Sequence, residues 1–145
     1  MMLFAPLDIL NESELTFPIL EVFHITGMVV AVGTIALTDY RLLGWAMPQQ
    51  DARGVARDLS LWTMVGLAVT FLAGAGLFLS DPDDYAVNDY FLMKMAVVLV
   101  AVVFHYTVHD RMVARGSPGA VKVTACVSLL LWLAVVTGGI FTGFF

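Results

Sequence analysis

The sequence predicts an all-α integral membrane protein, a bundle of four transmembrane helices, and three observations lead there. Apolar residues make up 60% of the chain and charged residues only 13%, where a soluble domain carries roughly a quarter charged residues. Four apolar runs each reach the roughly 20 residues that a helix needs to cross lipid. In 145 residues those runs leave room for short connections and for no separate soluble domain.

The first span is expected over residues 17–38. A loop from Asp39 to Asp58 follows, with Pro48 and Gly54 as punctuation. Span two covers 59–79, and the loop 80–89 holds Asp81, Asp83, Asp84 and Asp89 without a base. Span three covers 90–109. The loop 110–122 turns at Gly116, Pro118 and Gly119, and span four covers 121–144. The first sixteen residues contain Asp8, Glu12 and Glu14 and no Lys or Arg. That is the opposite of the basic start of a signal peptide, so the first apolar run is expected to be a retained helix. Leu3, Phe4, Leu7, Ile9 and Leu10 suit a short amphipathic lead along the membrane surface.

Charge placement gives the topology. Arg41, Arg53 and Arg57 lie in one loop, and Arg111, Arg115 and Lys122 in another, six of the seven basic residues. The positive-inside rule puts both loops in the cytoplasm and both termini outside it. The expected location is a bacterial-type inner membrane, with the lipid bilayer as first partner. Trp45, Trp62, Tyr85 and Tyr90 fall near span ends, where aromatic belts form.

Small residues recur where helices would touch. Gly66, Thr70 and Gly74 make one stripe on span two, Gly27 and Ala31 a second on span one, and Gly138, Gly139 and Gly143 close span four. Such stripes let backbones approach in lipid, and they also leave a flat wall for a cofactor. The lone Cys126 excludes an internal disulfide and any multi-cysteine metal site. The basic residues are too few and too interrupted for nucleic-acid binding. No paired-carboxylate, thiol or nucleophile pattern suggests hydrolysis, and no catalytic residue is assigned.

Polar groups inside lipid are costly and mark function by default. The candidates are Glu21, His24, Lys94 and His105, with His109 at the cytoplasmic end of span three. Glu21 and His24 are three apart and share a helix face. Lys94 and His105 are eleven apart, three turns and a little more, on one face about 16 Å apart along the axis. Measured from the outer ends, His24 is about 10 Å deep, Lys94 about 6 Å and His105 about 22 Å. His24 and Lys94 therefore share the outer half, and His24 and His105 do not grip one iron from two sides.

Histidine is a common axial ligand of haem iron. The expected site is a haem b with His24 on the iron and Lys94, the one cation inside the spans away from their cytoplasmic ends, at a propionate or near the iron. Glu21 would orient His24 or balance Lys94, and His105 completes the candidate cofactor-binding set. Blander readings of the same residues stand beside this one. His24 then only hydrogen-bonds between helices, Glu21 and Lys94 form an ion pair, and His105 bonds a backbone carbonyl or Cys126.

The segment Asn88-Asp89-Tyr90-Phe91-Leu92-Met93-Lys94-Met95, with His105 eleven residues after the lysine, resembles the third-helix pattern of HemJ-type protoporphyrinogen oxidases. His24, Gly33 and the Arg41–Leu43 run on span one are similar too, as are Arg57 to Thr70 and Gly74 to Leu77 on span two. A looser likeness extends to CopD-like bundles and to bacterial four-helix proteins with a "DxRLLG"-like ending, here Asp39 to Gly44. The resemblance covers about three of the four spans. It implies haem binding, with His24 and Lys94 as the functional pair and His105 as the following histidine. It does not carry the activity: the sequence has Thr38-Asp39-Tyr40-Arg41 without the proline that precedes the arginine in that family. The functional expectation is a haem-b protein, an oxidoreductase or redox subunit, that exchanges electrons with a quinone or a partner redox protein. Porphyrinogen oxidation is the specific variant. The alternative is a non-catalytic subunit of a homo- or hetero-oligomer, or a small-molecule or metal transporter, whose polar residues serve packing and assembly.

Overall fold

The computed structural model describes residues 13–142. Among them 88% are helical and none is in a strand. In chain order the helices are α1 (Thr16–Leu43), α2 (Ala52–Ser80), the short α3 (Pro82–Val87), α4 (Asp89–Phe104), a π-helical turn (His105–His109), α5 (Asp110–Arg115) and α6 (Pro118–Thr142). The stretch Asp89–Arg115 is one continuous rod, so four rods are long and apolar enough to cross a membrane. These are spans one to four. The amphipathic lead expected over the first residues lies almost wholly outside the described ones.

The rods outrun the predicted spans. Span one has 28 residues, about 42 Å at 1.5 Å per residue, against a hydrocarbon core of about 30 Å. The surplus is at the basic side, where residues 39–43, 52–58 and 110–115 stay helical. Charges set where lipid ends, but a helix satisfies its own backbone and continues past that level. The Asp39-to-Gly44 ending is what stops span one. Gly44 takes a left-handed conformation (φ 81°), and its N–H bonds the Arg41 carbonyl while Trp45 N–H bonds that of Tyr40, a glycine C-terminal cap. The Arg41 guanidinium folds over the loop onto the Gln50 carbonyl, 2.7 Å. Asp51 then caps span two by accepting from Gly54 N–H at 2.7 Å. On the acidic side, residues 80–89 are not all loop. Pro82 at the first turn, with Asp83 and Asp84 beside it, starts α3. Asn88 caps α4 through Phe91 N–H.

Span one is the centre of the arrangement. It packs on span two along most of its length and on span four along its other flank, and span four packs on span three. Leu72, Val29, Leu99 and Leu130, one from each rod, are more than half exposed and face lipid. Ala31, Ile35, Leu67, Val98, Ala101, Trp132 and Val135 form the buried core. The contact of spans one and two is made backbone to backbone. A Cβ on Gly66 would lie 2.6 Å from Ala31 N, and one on Gly27 would lie 2.8 Å from the Gly66 carbonyl oxygen. Thr34 and Thr63 hydroxyls hydrogen-bond across the same interface at 2.8 Å.

Spans two and three are held together only at their ends. On the acidic side Phe78 stacks on Phe91, with ring centroids 5.8 Å apart, and Tyr85 joins both rings. On the basic side Arg53 Nε donates to the Val113 carbonyl at 3.3 Å. Between these clasps no Cα of α2 comes within 8 Å of one in α4 among the described residues. Spans one and three sit diagonally rather than as packed neighbours.

Candidate functional site

Two polar sites form, one towards each side of the membrane. The first is built by the glycine crossing. Because Gly27 and Gly66 bring the backbones of spans one and two together, the half-buried His24 ring reaches the main chain of span two. Its Nδ1 lies 2.8 Å from the Thr70 carbonyl oxygen. A carbonyl only accepts, so Nδ1 carries the proton and Nε2 keeps its lone pair. The Thr70 hydroxyl reaches back towards the His24 carbonyl at 3.5 Å. Gly74, one turn beyond Thr70, leaves the space that the ring fills. A Cβ there would sit 3.0 Å from both Nδ1 and Cε1 of His24. No described residue hydrogen-bonds Nε2.

Lys94 is half-buried and its stem runs along the glycine pair of span four. A Cβ on Gly138 would lie 3.5 Å from Lys94 Cβ, and one on Gly139 would lie 3.8 Å from Nζ. Lys94 has no ion pair or hydrogen bond with any described residue, and it is within electrostatic range of His24. Glu21 is exposed. It makes neither the ion pair with Lys94 nor the hydrogen bond to His24 that the sequence admitted; the ring is held by the Thr70 carbonyl instead. Nearby on the acidic side, burial first and then the Asp81 and Asp84 carboxylates push the Tyr85 hydroxyl above its usual range, so it remains neutral.

The second site lies at the basic end and gathers residues that the sequence left apart. His105 and His109 bound the π-helical turn, and their rings stack with centroids 4.9 Å apart and planes 24° apart. His109 Nε2 donates to Asp39 Oδ1 at 2.7 Å, across 70 residues of sequence. The His109 and Asp39 side chains are 2% and 0% exposed. His105 is 8% exposed, and its Nδ1 has no partner. It touches neither a backbone carbonyl nor Cys126 by hydrogen bond, and it belongs with His109 rather than with His24. The sequence puts Asp39 at the start of a loop and His109 at a span end, where polar residues are ordinary. A shared level at the basic ends of spans one and three was the signal that could have paired them.

The match to known proteins spans nearly the whole chain: residues 16–145 fit a single family model. The chain belongs to the Family of unknown function (DUF6644). That match takes in all four spans and both polar sites, so both sites fall within the family's own extent. No curated protein matches the chain, and no solved structure does.

On span four the buried Ser128 hydroxyl and Trp132 indole N–H make no hydrogen bond to a described residue.

Proposed function

We propose that this membrane bundle binds a b-type haem in its acidic-side half, with His24 Nε2 as iron ligand, and serves membrane redox chemistry. The observation that carries this is the hydrogen bond from His24 Nδ1 to the Thr70 carbonyl. Histidines that ligate metals usually donate their other ring N–H to a carbonyl or carboxylate, which fixes ring and tautomer. Lys94 adds the second requirement, a half-buried cation without a described carboxylate partner, suited to a propionate. Gly74, Gly138 and Gly139 keep Cβ atoms away from both residues, and the parting of spans two and three leaves a flank against which a flat ring can lie.

A haem held there supplies one-electron chemistry at its iron. The protein's own part is to hold the imidazole in one tautomer, to set a positive charge near the ring edge, and to keep water out with apolar spans. A quinone or a partner redox protein is the electron-exchange partner in this reading. The resemblance to HemJ-type oxidases makes porphyrinogen oxidation its specific variant. Purified protein from haem-replete cells is expected to be red, with a Soret band and a sharp α band after dithionite reduction. Colourless protein would return the chain to a packing or assembly subunit.

In the same reading both termini face away from the cytoplasm, as the two basic loops require. A reporter enzyme that folds only outside the cytoplasm is expected to be active when fused at the C-terminus and inactive when inserted at Pro48. The reverse pattern would overturn the orientation and leave the fold intact.

A further inference from the structure

We propose that the basic end of span three holds a divalent first-row metal ion, ligated by His105, His109 and Asp110, with Asp39 positioning His109. The site is separate from the haem reading and does not depend on it.

One ligating atom from each of His105, His109 and Asp110 lies within 4.8 Å of the other two. The two buried imidazole nitrogens that lack a hydrogen-bond partner are Nδ1 of His105 and Nδ1 of His109. Unsatisfied buried nitrogens on adjacent rings are costly and need a reason. For His109 the ligating atom follows by elimination. Its Nε2–H is committed to Asp39 at 2.7 Å, so Nδ1 is the nitrogen left for a ligand, and a metal ion binding there displaces any proton that the two flanking carboxylates hold on it. That nitrogen is 3.6 Å from Asp110 Oδ1, a loose ion pair when the ring is charged and near the separation of two ligands on one ion. With metal–ligand bonds of about 2.0–2.2 Å, neighbouring ligand atoms sit about 3–3.5 Å apart. A separation at the 4.8 Å limit must therefore close by about 1.3–1.8 Å, through rotation of the histidine rings and of Asp110, whose side chain is about half exposed.

The surroundings agree. A cavity of about 40 Å³ is lined by both histidines and Asp110 together with Thr38, Ser60 and Thr63. Its size suits an ion or a single water. The carboxylate–imidazole–metal order that Asp39 and His109 would complete is the usual outer-shell device of metal sites. The helix also widens into a π turn between the two histidines, a distortion often found at functional sites. Two imidazoles and one carboxylate suit zinc, ferrous iron, cobalt or manganese. Without a thiolate they do not suit cuprous copper, and the nitrogen share does not suit calcium or magnesium.

The test uses the full chain in detergent, purified without a polyhistidine tag and stripped with chelator. Co²⁺ and Zn²⁺ are titrated by calorimetry, with the visible Co²⁺ bands as a coordination signature. One equivalent of Co²⁺ is expected, displaced by Zn²⁺. Asp110→Ala changes a half-exposed side chain, and His105→Ala removes a ring that makes no hydrogen bond, so both should fold. Each should abolish or greatly weaken the binding. Asp39→Asn keeps an oxygen to accept from His109, and should weaken Co²⁺ on the order of 10- to 100-fold with the bands retained. His24→Ala should leave Co²⁺ binding unchanged, which separates this site from the haem. A folded wild-type chain without stoichiometric Co²⁺ binding overturns the proposal, as does equal binding in Asp110→Ala and His105→Ala. The Asp39–His109 pair would then be structural.

Discussion

Replacing His24 with alanine is expected to strip the protein of haem while the chain still inserts and folds. The ring is half-buried and makes one side-chain hydrogen bond, to the Thr70 carbonyl. That carbonyl remains within its own helix ladder once the ring is gone, so little of the bundle depends on the imidazole. The iron, in contrast, loses its ligand. The check is the haem-to-protein ratio from the pyridine haemochrome spectrum, beside a helical circular-dichroism spectrum that does not change. Two companions sharpen it. His105→Ala should keep the full haem complement, because His105 packs with His109 at the other end. Gly74→Ala leaves the ligand in place but sets a methyl 3.0 Å from its ring, so the ring must give by a few tenths of an ångström, which strains its bond to the Thr70 carbonyl. Losing such an outer-shell bond outright typically costs 10- to 100-fold in metal affinity, so the weakened bond should lower haem affinity by less than that. If His24→Ala keeps its haem and His105→Ala loses it, the iron belongs at the basic end.

The four rods were legible because apolar length is a one-dimensional property that lipid reads directly. Their ends were less so. Asp39 marks where charge begins, yet the helix runs on to Leu43, since the stop depends on Gly44 adopting a left-handed turn. The acidic loop hid α3 because its Asp residues read equally as turn and as helix first turn, and Pro82 decides between them. The stripe of Gly27, Ala31, Gly66 and Thr70 was visible by spacing, but spacing does not say which rods meet. Only the structure pairs span one with span two and leaves span three on the diagonal.

The two sites differ in the same way. His24 and Lys94 were singled out because an ionisable group inside a span is conspicuous by itself. What orients His24 was not visible, because its partner is a main-chain oxygen that has no sequence signature. Asp39 and His109 escaped for the opposite reason. Each stands at a span end where polar residues are ordinary, and their pairing is a contact across 70 residues. Rise per residue alone separates His105 from His24, and in the structure His24 bonds Thr70 while His105 packs with His109. Its neighbour His109 was not joined to it, although four residues apart on a helix put them on one face.

The glycine crossing is where the fold and the first site depend on each other, and Gly66→Leu is expected to damage both. Lipid tails are as apolar as the helices, so association rests on close packing and interhelical hydrogen bonds rather than on expulsion of water. At Gly66 a Cβ would fall 2.6 Å from Ala31 N and 2.8 Å from the Gly27 carbonyl oxygen. Those atoms are backbone and cannot swing aside, so spans one and two must separate. Overpacking commonly costs about 1–3 kcal/mol, occasionally more, and the Thr34–Thr63 hydrogen bond and the His24 contact with Thr70 stretch with it. The expected result is a clear drop in thermal midpoint in detergent, followed by loss of haem even though every proposed ligand is intact. Gly33→Leu is the control, because a Cβ at Gly33 meets nothing within 4 Å. It should leave both the midpoint and the haem content unchanged. Equal effects at Gly33 and Gly66 would mean that bulk in span one or two, rather than this crossing, is what the bundle cannot accept.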